Sequence, residues 1–346
     1  MIKSVDKSLS KDLMCYQNPH STGEMVYTTE GDLMVLYLGI LPPALIALLG
    51  GLVIHSFIIV INVTDWLNGR SVTPVDHIIT SLGISRICNQ CANTLHLLVL
   101  TLFLSNRDSR LTLVLMDAFH SFFAYTNVWL TSLLSIVFCL KISNLRTRLF
   151  LYLRRMIDQR TVHFIVGSVL LSAINCLFPL LTAISKFTKS GTYNATIDNL
   201  FKECSVIKRI YTYTIGASIP MLFFSFSSIL LFTSLYRHIT KMKMSGNLSI
   251  NLETYYSAMT FVSITFMYQT LYFTGDAISV MYYNYYCVRL LWLHIAMGFL
   301  PVLHSSYLIY RTAKLRSHMS KVLQNVIDFL FQRKETEIRE DIELVG

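Results

Sequence analysis

Apolar residues run along this chain in long blocks, not in the short alternations of strands or the one-faced stripes of water-exposed helices. Asp, Glu, Lys and Arg are absent from Leu33 to Thr64, Ala118 to Leu140, Thr161 to Ser185, Ile210 to Tyr236, Thr254 to Gly275 and Leu290 to Tyr310. The stretch from His77 to Asn106 is interrupted only by Arg86. About 20 apolar residues cross the hydrocarbon layer as a helix, so each block is long enough to span a membrane. The pattern predicts seven spans, and an odd number puts the two termini on opposite sides.

Composition agrees. Of 346 residues, 53% are hydrophobic and 14% are charged, with a mean hydropathy of +0.51. Soluble domains carry about a quarter charged residues. A water-soluble enzyme, a nucleic-acid binder or a disordered chain is excluded on this ground. The net charge of +9 follows the positive-inside rule instead. With the N-terminus outside, 17 Lys and Arg fall in inner segments and ten in outer ones. The expected organisation is an extracellular segment (1–32), a seven-helix transmembrane bundle (33–312) and a cytoplasmic tail (313–346). The first 32 residues are polar and lack the apolar core of a cleavable signal peptide, so the first helix is expected to act as its own insertion signal.

Four of the seven cysteines, Cys88, Cys91, Cys139 and Cys176, lie inside spans as packing residues. Cys15, Cys204 and Cys287 fall on the outer side, where disulfides can persist. Of three N-x-[ST] sequons, at Asn62, Asn194 and Asn247, only Asn194 faces outward in the charge-derived topology. Beyond the last span, Leu315, Met319, Val322, Val326 and Leu330 recur at helical spacing among Lys314, Arg316, Lys321 and Arg333. This reads as an amphipathic helix on the inner leaflet of the lipid bilayer, followed by an acidic, disordered end from residue 335.

Seven helices with an outer N-terminus fit a G-protein-coupled receptor, yet the rhodopsin-like signatures are missing. Helix three ends Leu140-Lys141-Ile142 without an acidic-Arg pair, and helix six has no proline. Helix two instead reads Leu82-Gly83-Ile84-Ser85-Arg86-Ile87, and helix three Leu134-Ser135-Ile136 followed by Leu140-Lys141-Ile142-Ser143-Asn144. Helix five carries Ser234-Leu235-Tyr236-Arg237-His238, and helix seven Pro301, His304-Ser305, Leu308-Ile309 and Lys314-Leu315-Arg316. Together these resemble the type 2 (bitter) taste receptors, from about Leu33 to Arg316.

The resemblance implies an all-α receptor that binds small bitter molecules in the outer half of the bundle and activates a heterotrimeric G-protein. Receptor oligomers are a further partner; no cofactor, metal or catalysis is expected. It implies that Arg86 contacts helices one and seven, at His55 and Ser305, so that His55, Arg86, Lys141, His304 and Ser305 form a structural or activation switch. Asn194 falls at the family's second-outer-loop glycan. For the ligand, counting along the helices from Arg86, Lys141 and Pro301 reaches His96, His120, Ala124 and His294, with Tyr272 supplied by helix six. Imidazoles there would recognise polar or anionic groups.

Two competing readings remain. A vomeronasal type 1 pheromone receptor would differ at His304-Ser305-x-x-Leu308-Ile309. A transporter or channel would need paired charges or broken helices along a pathway, and only Arg86 is centrally placed.

Overall fold

The computed structural model describes residues 30–102, 109–143, 147–188, 211–244, 251–286 and 290–345. Asn194, Asn247, Cys15, Cys204 and Cys287 lie outside them. Among the described residues there are eight α-helices and no strand: α1 (Glu30–Leu67), α2 (Pro74–Leu102), α3 (Ser109–Ile142), α4 (Arg148–Thr188), α5 (Ile219–Met244), α6 (Asn251–Tyr286), α7 (Leu291–Arg311) and α8 (Ala313–Val345). A π-helical turn, Thr214–Ser218, leads into α5.

Four segments are long and apolar enough to cross a membrane: Leu41–Leu67, Val114–Ile142, Phe150–Leu181 and Tyr211–Met244. Their outward faces carry Leu49, Val53, Leu170, Ile174, Leu222 and Phe226, all exposed. Such an apolar exterior suits lipid and not water, because helices satisfy their own backbone groups in hydrocarbon. This is a multi-pass membrane protein. α2 falls short by that criterion because it turns Ser85, Arg86, Asn89, Gln90 and Thr94 into the interior.

α3 is the central pillar. In its most apolar window 67% of the residues are buried, against 28% in α1 and 24% in α4, which therefore lie at the periphery. α3 packs on α2, α4 and α5; α5 packs on α6, α6 on α7, and α7 returns to α1. The main core joins Ile58, Leu82, Leu130, Val137, Leu231, Val262 and Leu308, one or more from every helix but α4 and α8, which add Ile157 and Leu315.

The junctions follow local rules. α1 closes in a Schellman motif: Gly69 N–H donates to the Trp66 carbonyl at 3.1 Å and Arg70 N–H to that of Asp65 at 3.0 Å. Gly69 adopts φ 70°, where a side chain would be strained. α2 opens on a reciprocal cap, with Thr73 N–H donating to Asp76 Oδ2 at 3.0 Å and Asp76 N–H to Thr73 Oγ1 at 3.2 Å. At Thr312 the backbone turns extended (φ −85°, ψ 110°), which separates α7 from α8.

Three expectations are corrected. The helices overrun the charge-free blocks: α4 begins at Arg148, thirteen residues before Thr161, and bends at Arg160 (φ −126°, ψ 25°). Charges end a membrane block but do not break a helix, since water and lipid tolerate the same backbone hydrogen bonds. The acidic end is helical to Val345. Its residues are mostly good helix formers without Gly or Pro, and Glu335 and Arg339 stand at a favourable i,i+4 spacing. Finally, the apolar stripe of the tail is divided. Leu315 and Met319 pack into the bundle core, while Val322 and Val326 are exposed.

Candidate functional site

Arg86 is only 2% exposed and lies in the middle of α2. Close helix packing puts it there. A Cβ at the neighbouring Gly83 would stand 3.3 Å from Ile59 Cγ1 of α1, so the small residue lets the two helices approach. Ser85 fixes the other side of α2 by donating to the Phe123 carbonyl of α3 at 3.3 Å. From this position the guanidinium crosses to α7. Nη1 donates to Ser305 Oγ at 2.5 Å, and Nη2 lies 3.0 Å from His304 Nδ1. Arginine can only donate, so Nδ1 accepts and the His304 ring is bound as a base. Tyr268 of α6 stacks on that ring with centroids 4.2 Å apart and planes 13° apart. It also places its face 5.9 Å from the Arg86 Cζ. Three helices thus meet on one cation.

His55 is fully buried on α1, in the electrostatic field of Arg86. Neither of its ring nitrogens has a hydrogen-bond partner. The resemblance implied contacts to His55 and Ser305; Ser305 is bonded, and the second hydrogen bond goes to His304 instead.

A cavity lies against this junction, lined by Arg86, Asn127, Val128, Thr131, Tyr268, Gln269, Tyr272 and Pro301. A neighbouring cavity between α3, α5 and α6 shares Thr131 with it and reaches the His304 ring. There Ser135 Oγ meets Ser227 Oγ at 2.7 Å and Ser228 Oγ at 3.0 Å, which ties α3 to α5.

At the end of the bundle that holds the α1–α2 and α7–α8 junctions, Lys314 gathers several groups. Its Nζ lies 2.7 Å from Asp65 Oδ2 and 3.7 Å from Asp76 Oδ1, and donates to Asn62 Oδ1 at 3.0 Å. Asn62 Nδ2 in turn donates to Thr80 Oγ1 at 3.0 Å. Arg70 completes the cluster at 2.8 Å from Asp65 Oδ1.

A family model described as "Taste receptor protein (TAS2R)" matches residues 35–327, most of the chain. The chain belongs to the taste receptor type 2 family. Taste receptor type 2 member 9 of Macaca mulatta is 30% identical over 302 residues, covering 81% of this chain and 91% of the relative. The Homo sapiens member 9 is 27% identical over the same length and coverage, and member 16 of Pan troglodytes 26% identical over 271 residues, 75% of this chain and 89% of the relative. Membership makes it a bitter-taste chemosensory receptor, of a receptor class and not an enzyme class, with coupling to a G-protein implied by the family.

In this taste receptor the residues expected at the ligand do not all converge. Tyr272 lines the cavity beside Arg86. His96 is buried on α2, while His120 and Ala124 are half-buried on α3, and none of the three lines that cavity. His294 lies on α7, and its side chain is outside those described. Lys141 sits half-buried in the last turn of α3. Asn127, Tyr268 and Gln269 line the cavity but carried no signal in the sequence, because neutral polar residues are common wherever helices hydrogen-bond across a bundle. Among the described residues no group of three or more His, Cys, Asp or Glu side chains could hold a metal.

Proposed function

We propose that this chain crosses the membrane seven times with its N-terminus outside, and that a small bitter molecule binds among α2, α3, α6 and α7 to shift an inactive–active equilibrium. The observation that carries this reading is the Arg86 junction. One cation on α2 holds Ser305 and His304 of α7 and also lines a cavity with residues of α3 and α6. A ligand touching Tyr272 or Gln269 acts on the helix whose Tyr268 stacks against His304. Ligands shift conformations only through a difference in affinity between the two states, and a junction shared by three helices is where such a difference would act. Lys141 and the basic turn after it would face the G-protein. Lys and Arg are in excess on that side, which supports the orientation. Asn194 would carry glycan outside. The exposed Val322, Val326, Ile327 and Phe329 of α8 would lie in the inner leaflet.

Cells expressing the chain with a chimeric G-protein and a calcium reporter, exposed to a panel of bitter and steroid-like compounds, test this. Agonist-evoked calcium release that requires the chimeric G-protein is expected. Ligand-evoked uptake current without G-protein would overturn it.

A further inference from the structure

Arg86 raises a problem of charge that its hydrogen bonds do not solve. Ser305 and His304 are neutral partners, and they occupy two of the five guanidinium N–H groups. The electrostatic neighbours of Arg86 on α6 are Tyr268 and Tyr272, and no carboxylate pairs with it among the described residues. From α1 and α7 the side chains in its field are His55 and His304, which can add only positive charge. A cation buried without a counter-charge is among the costliest arrangements in a membrane interior. The cavity beside it is lined by neutral groups able to donate hydrogen bonds, Asn127, Tyr268, Gln269 and Tyr272, and walled by Val128 and Pro301. Asn127 is 8% exposed, and its amide oxygen is buried without a hydrogen-bond partner. Exchanging the amide's oxygen and nitrogen by a half-turn presents N–H₂ to the same space.

We propose that the cavity bounded by Arg86, Asn127, Tyr268 and Tyr272 binds one monovalent anion, which serves as the counter-charge of Arg86. A single negative charge neutralises the guanidinium, whereas a divalent anion would leave a buried excess. The anion comes either from solution, as a halide, or from the carboxylate of a bound molecule. Bound there, it links α2, α3 and α6 in addition to the α2–α7 contact, so occupancy stabilises the bundle whether or not an agonist is present.

The test is thermal unfolding of the full chain in detergent micelles at constant ionic strength, with potassium gluconate replaced stepwise by chloride, bromide or acetate. The expected result is a saturable rise in Tm of about 3 °C with chloride or bromide. A rise with acetate alone would keep the anion site and assign it to small carboxylates. Asn127→Asp places a fixed carboxylate next to the cavity; it should be as stable in gluconate as the wild type in chloride, and should lose the response. Arg86→Gln should also lose it, and Asn127→Asp decides the matter if that variant does not fold. Equal Tm in every salt for the wild type, or an undiminished response in Asn127→Asp, overturns the proposal. No agonist is used, so a negative result here leaves the bitter-receptor reading standing.

Discussion

Lys314 Nζ lies 2.7 Å from Asp65 Oδ2, which fastens the root of α8 to the C-terminal end of α1. Asp65 is 8% exposed, and Asn62 accepts from the same ammonium. The ion pair is thus also hydrogen-bonded, which fixes the geometry of the lysine. Lys314→Ala should lower Tm by several degrees and reduce surface expression. Asp65→Lys with Lys314→Asp should recover part of the loss. No recovery in the exchanged pair would show that Asn62 and Asp76, not Asp65, hold the lysine.

Arg86→Ala should abolish signalling or surface expression, because it leaves Ser305 and His304 without their shared donor. Leaving a buried polar group without its partner costs about 1–3 kcal/mol. Ser305→Ala removes one hydrogen bond and should cost about 1 kcal/mol. Dose–response curves normalised to surface expression separate the two. A wild-type curve for Arg86→Ala would rule out both strut and switch.

Asn194→Gln should collapse the glycosidase-sensitive band on a gel. Asn62 also heads a sequon, but it is 4% exposed and its side chain bonds to Thr80 and Lys314. Asn62→Gln should therefore leave the glycan band unchanged and lower Tm. A sensitive band surviving in Asn194→Gln would reverse the orientation.

Agonist potency distinguishes the candidate ligand residues. Tyr272→Ala should weaken potency roughly tenfold or more, equivalent to about 1.4 kcal/mol of binding, with little loss of surface expression. His120→Ala and His294→Ala should weaken it as well if ligands reach toward the outer ends of α3 and α7. Unchanged potency in both histidine variants, for several agonists, would confine the ligand to the Tyr272 level.

Gly216→Ala should destabilise the end of the bundle at which α5 begins. Its Cβ would stand 2.5 Å from both Asn175 Nδ2 and Tyr125 Cδ1, and Asn175 is already committed to the Thr212 carbonyl at 3.0 Å. Overpacking of this kind costs about 1–3 kcal/mol, visible as a fall in Tm.

Much of the bundle was legible because a bilayer imposes a length on every apolar block. Each charge-free block falls within or largely within a helix of the described chain. The helix ends were not legible: Arg148–Arg160 and the residues after Lys334 are polar yet helical, and nothing in a membrane pattern marks where a helix stops in water. Arg86 stood out because a lone charge in a span demands partners. Its partner Ser305 could be named only from the resemblance, since the two lie 219 residues apart, and the bond to His304 was not foreseen. His96, His120 and Ala124 do not line the cavity beside Arg86, because helical rise gives depth but not the rotation of a side chain around the axis. Lys314 was visible as a motif member, but its pairing with Asp65 depends on how α8 packs against α1.

Arg86 and Ser305 are separated by 219 residues, and a ribosome adding roughly 5–20 residues per second needs some 10–45 s to travel between them. For all of that interval α2 sits in or beside the membrane with an arginine that has no α7 to receive it. Nascent chains halted before α7 should be held by the insertion machinery or degraded, while the complete chain leaves the endoplasmic reticulum. Maturation of the molecule is thereby expected to be conditional on α7, so that an interrupted translation product should not reach the cell surface as a partial receptor.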